Sequence, residues 1–459
     1  MSQEIQQLIK ALELGSYNAA PSTLSQGSAL QFEDLSPVLH NLTFQDSHIK
    51  LQKSLSVKDA KGQLIQFVRQ LDYGTFGGSA QYEGGIGEDN TASYQRATVP
   101  MSYYSTNARA SIAANMAQAF DGMKAEDRVE NDAEKKLVGD IEFDLFRGQN
   151  DFSNAGIFDG NPLAVAKVPS MVGLDAQVRA SDAMSNTQDL MFAEFGSDQS
   201  IVISVNGTLS QANIEDSAVR SAMNMGSADK LALDPISLSA YNKVAFAKER
   251  IILAGAAQEA SGANLRKQWT SSALVELEAS RFLSGKTRPA RSRSGSPAAP
   301  AVASAAVAST AVIPVGTYAY YVTACNERGE SVASATLSQA VAAAEQVNIT
   351  ITNVSGAKYY NVYRSAAGGS AASAKFIGRV KASSGASTIF NDLGNRRPGS
   401  VTGYLNQSDT MGIHQLAGLT KLKLAVTDLS LPAAVFRFLC LAVYQPRKNA
   451  LLENIEGQV

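Results

Sequence analysis

Between Ser284 and Pro300 the chain reads Ser-Gly-Lys-Thr-Arg-Pro-Ala-Arg-Ser-Arg-Ser-Gly-Ser-Pro-Ala-Ala-Pro, a proline, serine and alanine run carrying basic residues. Its prolines lack the amide hydrogens that helices and sheets use, and its arginines have no acidic neighbour to pair with. It is a linker, and the residue pattern of the chain changes across it. Beyond it come short alternating runs: Thr317 to Cys325, Val347 to Thr352, Lys358 to Arg364, Lys375 to Val380 and Ser387 to Phe390. Turns such as Asn326-Glu-Arg-Gly329 and Ala367-Gly-Gly369 separate these runs, which predicts a β-sandwich of about 90 residues. After Arg396-Arg-Pro-Gly399 the pattern seen upstream of the linker returns, and Val435-Phe-Arg-Phe-Leu-Cys-Leu-Ala-Val-Tyr444 reads as a strand buried on both faces. The last residues are therefore expected to complete the unit that precedes the linker, which makes the sandwich an insertion.

Upstream of the linker the pattern mixes helix and strand. Ile5, Leu8, Ile9 and Leu12 share one face of a short helix stopped by Gly15, followed by a polar arm with Pro21 and Pro37. From Leu64 to Tyr104 two extended arms enclose the glycine-rich stretch Tyr82-Glu-Gly-Gly-Ile-Gly-Glu-Asp-Asn90, which predicts a long β-hairpin. Its faces carry too few apolar residues for a core of its own, and such a hairpin is only marginally stable alone. It is expected to lie against another subunit or to fold over a ligand, with Tyr73, Phe76, Tyr82, Arg96 and Tyr104 as the contact residues.

Over Glu126–Arg147 the residues Val129, Ala133, Leu137, Ile141 and Leu145 recur every fourth position, one stripe on a helix ending at Gly148. Val129, Leu137, Ile141 and Leu145 are the candidate core of that helix. Between residues 150 and 280 strands alternate with helices: a strand at Ser200–Val205, a helix at Ile214–Met223, a strand at Lys230–Asp234 and a helix from Pro235. The fold class is α+β with an all-β insertion.

The chain has 459 residues, enough for two or three cores, with 45% hydrophobic and 18% charged residues, the composition of an ordinary globular protein. The first ten residues lack a basic segment followed by an apolar run, so no secretory signal is expected, and no apolar stretch is long enough for a membrane span. Cys325 and Cys440 stand far apart, and His40, His48 and His414 are scattered, which predicts no disulfide framework and no metal centre.

Motifs for chemistry fail on position. Gly285-Lys-Thr287 resembles the end of a phosphate-binding loop, but Ser280 stands where that motif needs glycine. Gly84, Gly85 and Gly87 do not open a helix after a buried strand, as a dinucleotide site requires. No nucleophile elbow, zinc-protease helix or calcium loop occurs, so no catalytic residue and no cofactor are assigned. The charge is uneven: residues 281–400 hold 13 Lys/Arg against 4 Asp/Glu, while the remainder is acidic. Nucleic-acid binding is one reading of that block. A basic domain resting on acidic neighbours is the other, favoured because the tyrosines follow core spacing rather than alternating with arginine.

The order of elements resembles the major capsid proteins of tailed bacteriophages, the HK97-like fold. The match runs from an N-terminal arm through the glycine-rich hairpin (the extended loop), the Glu126–Arg147 helix (the spine helix) with its Gly148-Gln-Asn-Asp-Phe152 exit, and Asp229–Ile236 (a step of the axial domain), to the run Phe436–Lys448. The inserted block resembles fibronectin-type or immunoglobulin-like modules in Gly316-Thr-Tyr-Ala-Tyr-Tyr-Val-Thr-Ala324 and Tyr360-Asn-Val-Tyr-Arg364, without the cysteine pair and core tryptophan of antibody domains. The resemblance implies an arm at 1–60, an extended hairpin at 61–105, the spine helix with peripheral and axial α+β domain at 106–283, linker and sandwich at 284–400, and a return to the capsid core at 401–459.

It further implies a structural protein that is no enzyme and that assembles with itself as hexamers and pentamers into an icosahedral virion shell around double-stranded DNA in the host cytoplasm. The sandwich would lie outside. Portal, scaffold or decoration proteins would be partners, DNA would be touched only non-specifically, and no membrane would be involved. A tail-associated adhesin acting through the sandwich, a nanocompartment shell of the same fold, and a hydrolase with an accessory sandwich are the rival readings.

Overall fold

The computed structural model describes residues 45–70, 73–74, 79–87, 89–116, 123–148, 171–183, 200–248, 266–284, 296–311, 313–326, 329–357, 359–394, 396–426 and 428–456. The expected arm helix near Ile5 to Leu12 and most of the basic linker lie outside them. In chain order the elements before the linker are α1 (Leu51–Ser54), β1 (Ser56–Asp59), β2 (Leu64–Gln70), β3 (Tyr94–Pro100), β4 (Ser102–Ser111), α2 (Ile112–Met116) and α3 (Ala125–Arg147). They continue with α4 (Leu174–Ala183), β5 (Val202–Gly207), α5 (Gln211–Met223), β6 (Lys230–Leu233), α6 (Pro235–Lys248), β7 (Lys267–Trp269) and β8 (Leu274–Ala279). After it come β9 (Val302–Ala308), β10 (Gly316–Asn326), β11 (Gly329–Glu330), β12 (Leu337–Val341), β13 (Glu345–Thr352), β14 (Tyr359–Arg364), β15 (Lys375–Lys381) and β16 (Ser387–Asp392). The chain closes with β17 (Val401–Asn406), β18 (Met411–Lys423), β19 (Ser430–Val443) and β20 (Ala450–Ile455). The architecture is α+β, rich in strand.

The long helix α3 organises the body. Ala133, Leu137, Ile141 and Leu145 are buried along one stripe, and Val129, half-buried, packs against the same cluster. That stripe meets Val435, Leu439 and Leu441 of β19, Tyr104 and Ala108 of β4 and Ile413 of β18. The helix thus covers one face of a four-stranded sheet ordered β1-β18-β19-β4. It stops where the chain must pass against its own backbone: a Cβ at Gly148 would lie 2.3 Å from the Met171 carbonyl oxygen, so a larger residue cannot stand there.

A second sheet, ordered β5-β20-β17-β6-β8-β7, carries a separate core in which Ile214 and Ala218 of α5 and Tyr241 of α6 pack on Leu231, Leu233, Val275, Leu405 and Leu452. Tyr404, Ala232 and Leu451 on its other face join the α3 cluster. The two sheets therefore share one continuous body. In β19, Leu439–Val443 are buried on both faces, whereas Ser430–Phe438 alternate.

The block from β9 to β16 forms two facing sheets, β16-β13-β9 and β11-β10-β14-β15 with β12 beside β10. Tyr318, Tyr320, Val322, Val347, Ile349, Ile351, Tyr360 and Val362 fill the space between them as a core of their own. Its attachment follows from register. β8 runs parallel to β6 with Ala279 level with Leu233, and β17 runs antiparallel on the other side of β6 with Tyr404 opposite Ala232. The chain therefore leaves and re-enters the body at one end of the sheet, two strand spacings apart, about 10 Å.

The hairpin is shorter than its sequence suggests. β2 and β3 pair from Leu64↔Pro100 to Gln70↔Tyr94, and the next residues form β4, a strand inside the body. The alternation of buried and exposed residues in β4, with Ala108 and Ala110 inward, is the period of a half-buried strand and not of a free arm.

Candidate interaction surfaces

The two-stranded ribbon β2–β3 is fixed at its root and free beyond it. Ala97, Val99, Ile65 and Phe67 pack with Val172, Ala176 and Ala180 of the α4 region and with Phe438 and Cys440 of β19. Phe67 meets the Tyr444 ring edge-on at 5.2 Å. The opposite face shows Val68 and Tyr94 to solvent, with exposed Arg96 directly across from Val68. Farther out Tyr73 is exposed, and Tyr82 and Ile86 are 96% and 93% exposed. The chain itself covers little of these large side chains, so the outer ribbon is an apolar and aromatic surface waiting for cover.

Of the five contact residues expected from the sequence, Tyr73, Tyr82 and Arg96 stand exposed on this ribbon, and Phe76 lies outside the described residues. Tyr104 is a correction. It sits in β4 at 8% exposure, its hydroxyl donating to Asp144 Oδ2 at 2.8 Å and accepting from the Met171 amide at 3.1 Å. It is an internal strut between sheet and helix and cannot meet a neighbouring molecule. Val68, Ile86 and Tyr94 belong to the surface as well, beyond the five residues expected; the period-2 placement of Val68 and Tyr94 on the outer face is the signal that marks them.

A second open surface follows β18. β1 covers this strand only from Gly412 to Gln415, and beyond that Leu416, Leu419, Leu422, Leu424 and Val426 are exposed. Lys421 and Lys423 pair with Glu134 and Glu126 of α3 at 3.0 and 2.7 Å. The lysines are tied down and the leucines are not.

Two polar devices hold the surroundings. Glu142, fully buried in α3, accepts from the amides of Lys50 and Leu51 through Oε1 at 3.0 and 2.8 Å and from Gln52 through Oε2 at 3.0 Å. It caps α1, whose own N-cap, Lys50, offers no side-chain bond. Burial pushes this carboxyl's pKa up, and the three N–H groups pull it back. In the sandwich, Asp392 accepts from Arg364 Nη1 at 2.5 Å and from Tyr320 at 2.9 Å, while Arg364 Nη2 donates to the Arg396 carbonyl at 2.8 Å. Arg379 lies 4.1 Å over the Tyr359 ring and donates to Asn361. Part of the basic excess of this block is thus spent inside the fold.

Near the hairpin root, Tyr444 Oη lies 2.8 Å from His414 Nε2 and 3.3 Å from Lys58 Nζ. Burial, then the Lys58 charge, lowers the His414 pKa. The unfolded chain, with histidine near 6.5, then takes up the proton first, so this stabilisation is full above that value and is lost as pH falls through it. The melting temperature should drop between about pH 7.5 and 5.5, and His414→Gln should flatten that drop; an unchanged slope would assign it to other groups.

Among the described residues no three His, Cys, Asp or Glu side chains are placed to hold a metal, and no helix is long and apolar enough to cross a membrane. Cys325 and Cys440 are buried free thiols whose pKa burial pushes up to about 12.

No family model matches the chain, and no curated protein matches it. Among solved structures it is similar to the capsid protein of the native GTA particle, at 10% identity and a TM-score of 0.47 over 95% of this chain and 100% of that one. The capsid of Myoviridae phage XM1 aligns at 9% identity and 0.40, over 92% and 97%. The SrpI encapsulin of Synechococcus elongatus aligns at 8% identity and 0.41, over 92% and 95%. Two of these neighbours are thus capsid proteins and the third an encapsulin, each aligned with this chain over more than nine tenths of both lengths.

Proposed function

We propose that the chain is a major capsid protein of HK97-like architecture, a structural protein that assembles with itself into an icosahedral shell around double-stranded phage DNA. The observation that carries this reading is the hairpin: a ribbon rooted in the body core by Phe67, Ala97 and Val99, whose solvent face exposes Val68 and Tyr94 and whose outer length exposes Tyr73, Tyr82 and Ile86. A protein that works alone gains nothing from such an arm. One that tiles a closed surface needs contacts that repeat from copy to copy and tolerate small changes of angle, which a ribbon supplies. The α3 helix on its four-stranded sheet is the rigid wedge of each tile. The two-sheet block is read as an immunoglobulin-like or fibronectin-like insertion on the outer surface, because it has its own core and a single point of attachment. Hexamers and pentamers would be the building units, formed in the host cytoplasm, with portal, scaffold or decoration proteins as further partners.

Joining Gln70 to Tyr94 through an Asn-Gly turn removes the outer arm and keeps the root. The purified full-length protein should give closed shells by electron microscopy, and this variant should remain a folded, unassembled protein on a sizing column. Normal shells from the variant would show that the arm does not build the shell. Shells that retain DNA on purification from infected cells would distinguish a genome container from one that holds protein cargo.

A further inference from the structure

The side chain of Arg437, in β19 between Val435 and Leu439 on the face that α3 covers, is 9% exposed. It makes no hydrogen bond and no ion pair among the described residues, and its Nε is a buried donor with nothing to donate to. The other bases that β18 and β19 place on this face, Lys421 and Lys423, are paired with Glu134 and Glu126. Burial pushes the Arg437 pKa down, with no acidic neighbour to oppose it. Arginine nonetheless keeps its charge at any working pH. Water can satisfy its N–H groups but does not balance that charge.

A second group on the same face is in the same condition. Ser102 of β4 is 1% exposed, and its Oγ also lacks a partner. Tyr104 stands opposite Arg437 and Ser102 opposite Leu439, so Ser102 and Arg437 are diagonal neighbours on one side of the sheet. That spacing, about 7–8 Å between the two backbones, is within reach of an arginine side chain. The Tyr104 hydroxyl is already committed to Asp144 and to the Met171 amide. On the other side of Arg437 the ladder is interrupted: Gln415 pairs with Leu439 and Thr420 with Phe436, so β18 takes five steps where β19 takes three. A Cβ added at Gly418, inside that interruption, would meet nothing within 4 Å, so the strand is not packed tight at this level.

Two buried donors on one face, one of them charged, call for an anion that offers several oxygens. An arginine fork meets two oxygens of such a group side by side, a match that a spherical halide does not make. We propose that this face of the sheet, under α3, holds a seat for a phosphate-class oxyanion, in which Arg437 donates through Nε and one Nη to two oxygens and Ser102 Oγ donates to a third. The seat goes beyond the shell reading and does not depend on it. Phosphate reaches it either as the free ion or as one link of a nucleic-acid backbone, and the two sources are separable.

The test uses the purified, unassembled full chain, with inorganic phosphate exchanged for chloride at constant ionic strength. The phosphorus NMR line of inorganic phosphate should broaden with the parent protein and stay sharp with Arg437→Met. At phosphate roughly tenfold above its dissociation constant the parent's melting temperature should rise by about 2–5 °C, and that of Arg437→Met should not follow. Arg437→Lys keeps the charge but loses the fork and should weaken binding at least about tenfold; Ser102→Ala should weaken it about fivefold. If Arg437→Met does not fold, these two variants carry the same comparison. Equal line broadening by parent and variants would overturn the proposal. So would an equal rise in melting temperature, which is a general salting effect of phosphate, or displacement of phosphate by an equal concentration of acetate, which would give the guanidinium to a carboxylate. A short DNA duplex that displaces phosphate assigns the seat to a backbone phosphate, and one that does not assigns it to the free ion; both results support the phosphate chemistry.

Discussion

Asp392→Ala should cost the sandwich about 3–5 kcal/mol, because it leaves the Arg364 guanidinium buried with half its contacts removed. The two side chains are 6% and 2% exposed and sit on different sheets, Arg364 on β14 and Asp392 on β16, so the pair ties the sandwich across its core. Asp392 also accepts from Tyr320 and from the Gly394 amide, 3.0 Å away, next to the strand that leads back to the body. Burial and the carboxylate push the Tyr320 pKa up, so its hydroxyl stays a donor at any working pH. Because this block has a core separate from the body, denaturant unfolding of the full chain should show two steps, of which only one moves. Replacing both partners by Met and Leu should lose far less than the single change. Coincident loss of both steps in Asp392→Ala would mean that the two cores melt as one.

The second large effect is expected at Glu142. Alanine there strands three amides, that of Leu51 buried and those of Lys50 and Gln52 half-buried, and should destabilise the body by about 3 kcal/mol. It should also release α1, since Leu51 and Leu55 are held in the α3 cluster only while that turn is fixed. Hydrogen exchange would show this directly: the amides of 50–52 should lose protection well before those of β19. Glu142→Gln should fall in between, keeping one carbonyl acceptor and turning an amide donor toward an N–H group. Unchanged exchange at Leu51 in the alanine variant would rule the cap out as the anchor of this segment.

Much of the fold is legible in the sequence where one period runs unbroken. The stripe from Val129 to Leu145 keeps a four-residue spacing, and the five sandwich runs are dense in tyrosine, valine and isoleucine. Where the period breaks, the reading fails. β18 is interrupted by register shifts between Gln415 and Thr420, which scramble its alternation and hide it as a strand. β9 and β12 are built from alanine, serine and single aliphatic residues, too weak in β-branched and aromatic side chains to stand out. The extended pattern continues past Pro100 and so carries Tyr104 onto the arm; only pairing to β19 shows that the chain has entered the body. Of the surface, the exposed tyrosines of the ribbon are visible as aromatics without a core to fill. Glu142 is not, because what matters about it is a partner about 90 residues away.

The attachment of the sandwich carries a consequence for how such a chain can change. Two ends about 10 Å apart on one sheet edge are the geometry of an ordinary short loop. Leu283 still packs in the α3 core, but the body need not register what lies between Ser284 and Val401, so this point behaves as a socket: removing that block and closing the gap with a few glycine and serine residues should leave both body cores intact and assembly unimpaired. Foreign domains with similarly close termini should be accepted there as well. Loss of body folding on such a replacement, read by the surviving denaturant step, would mean that the socket and its occupant have become mutually dependent.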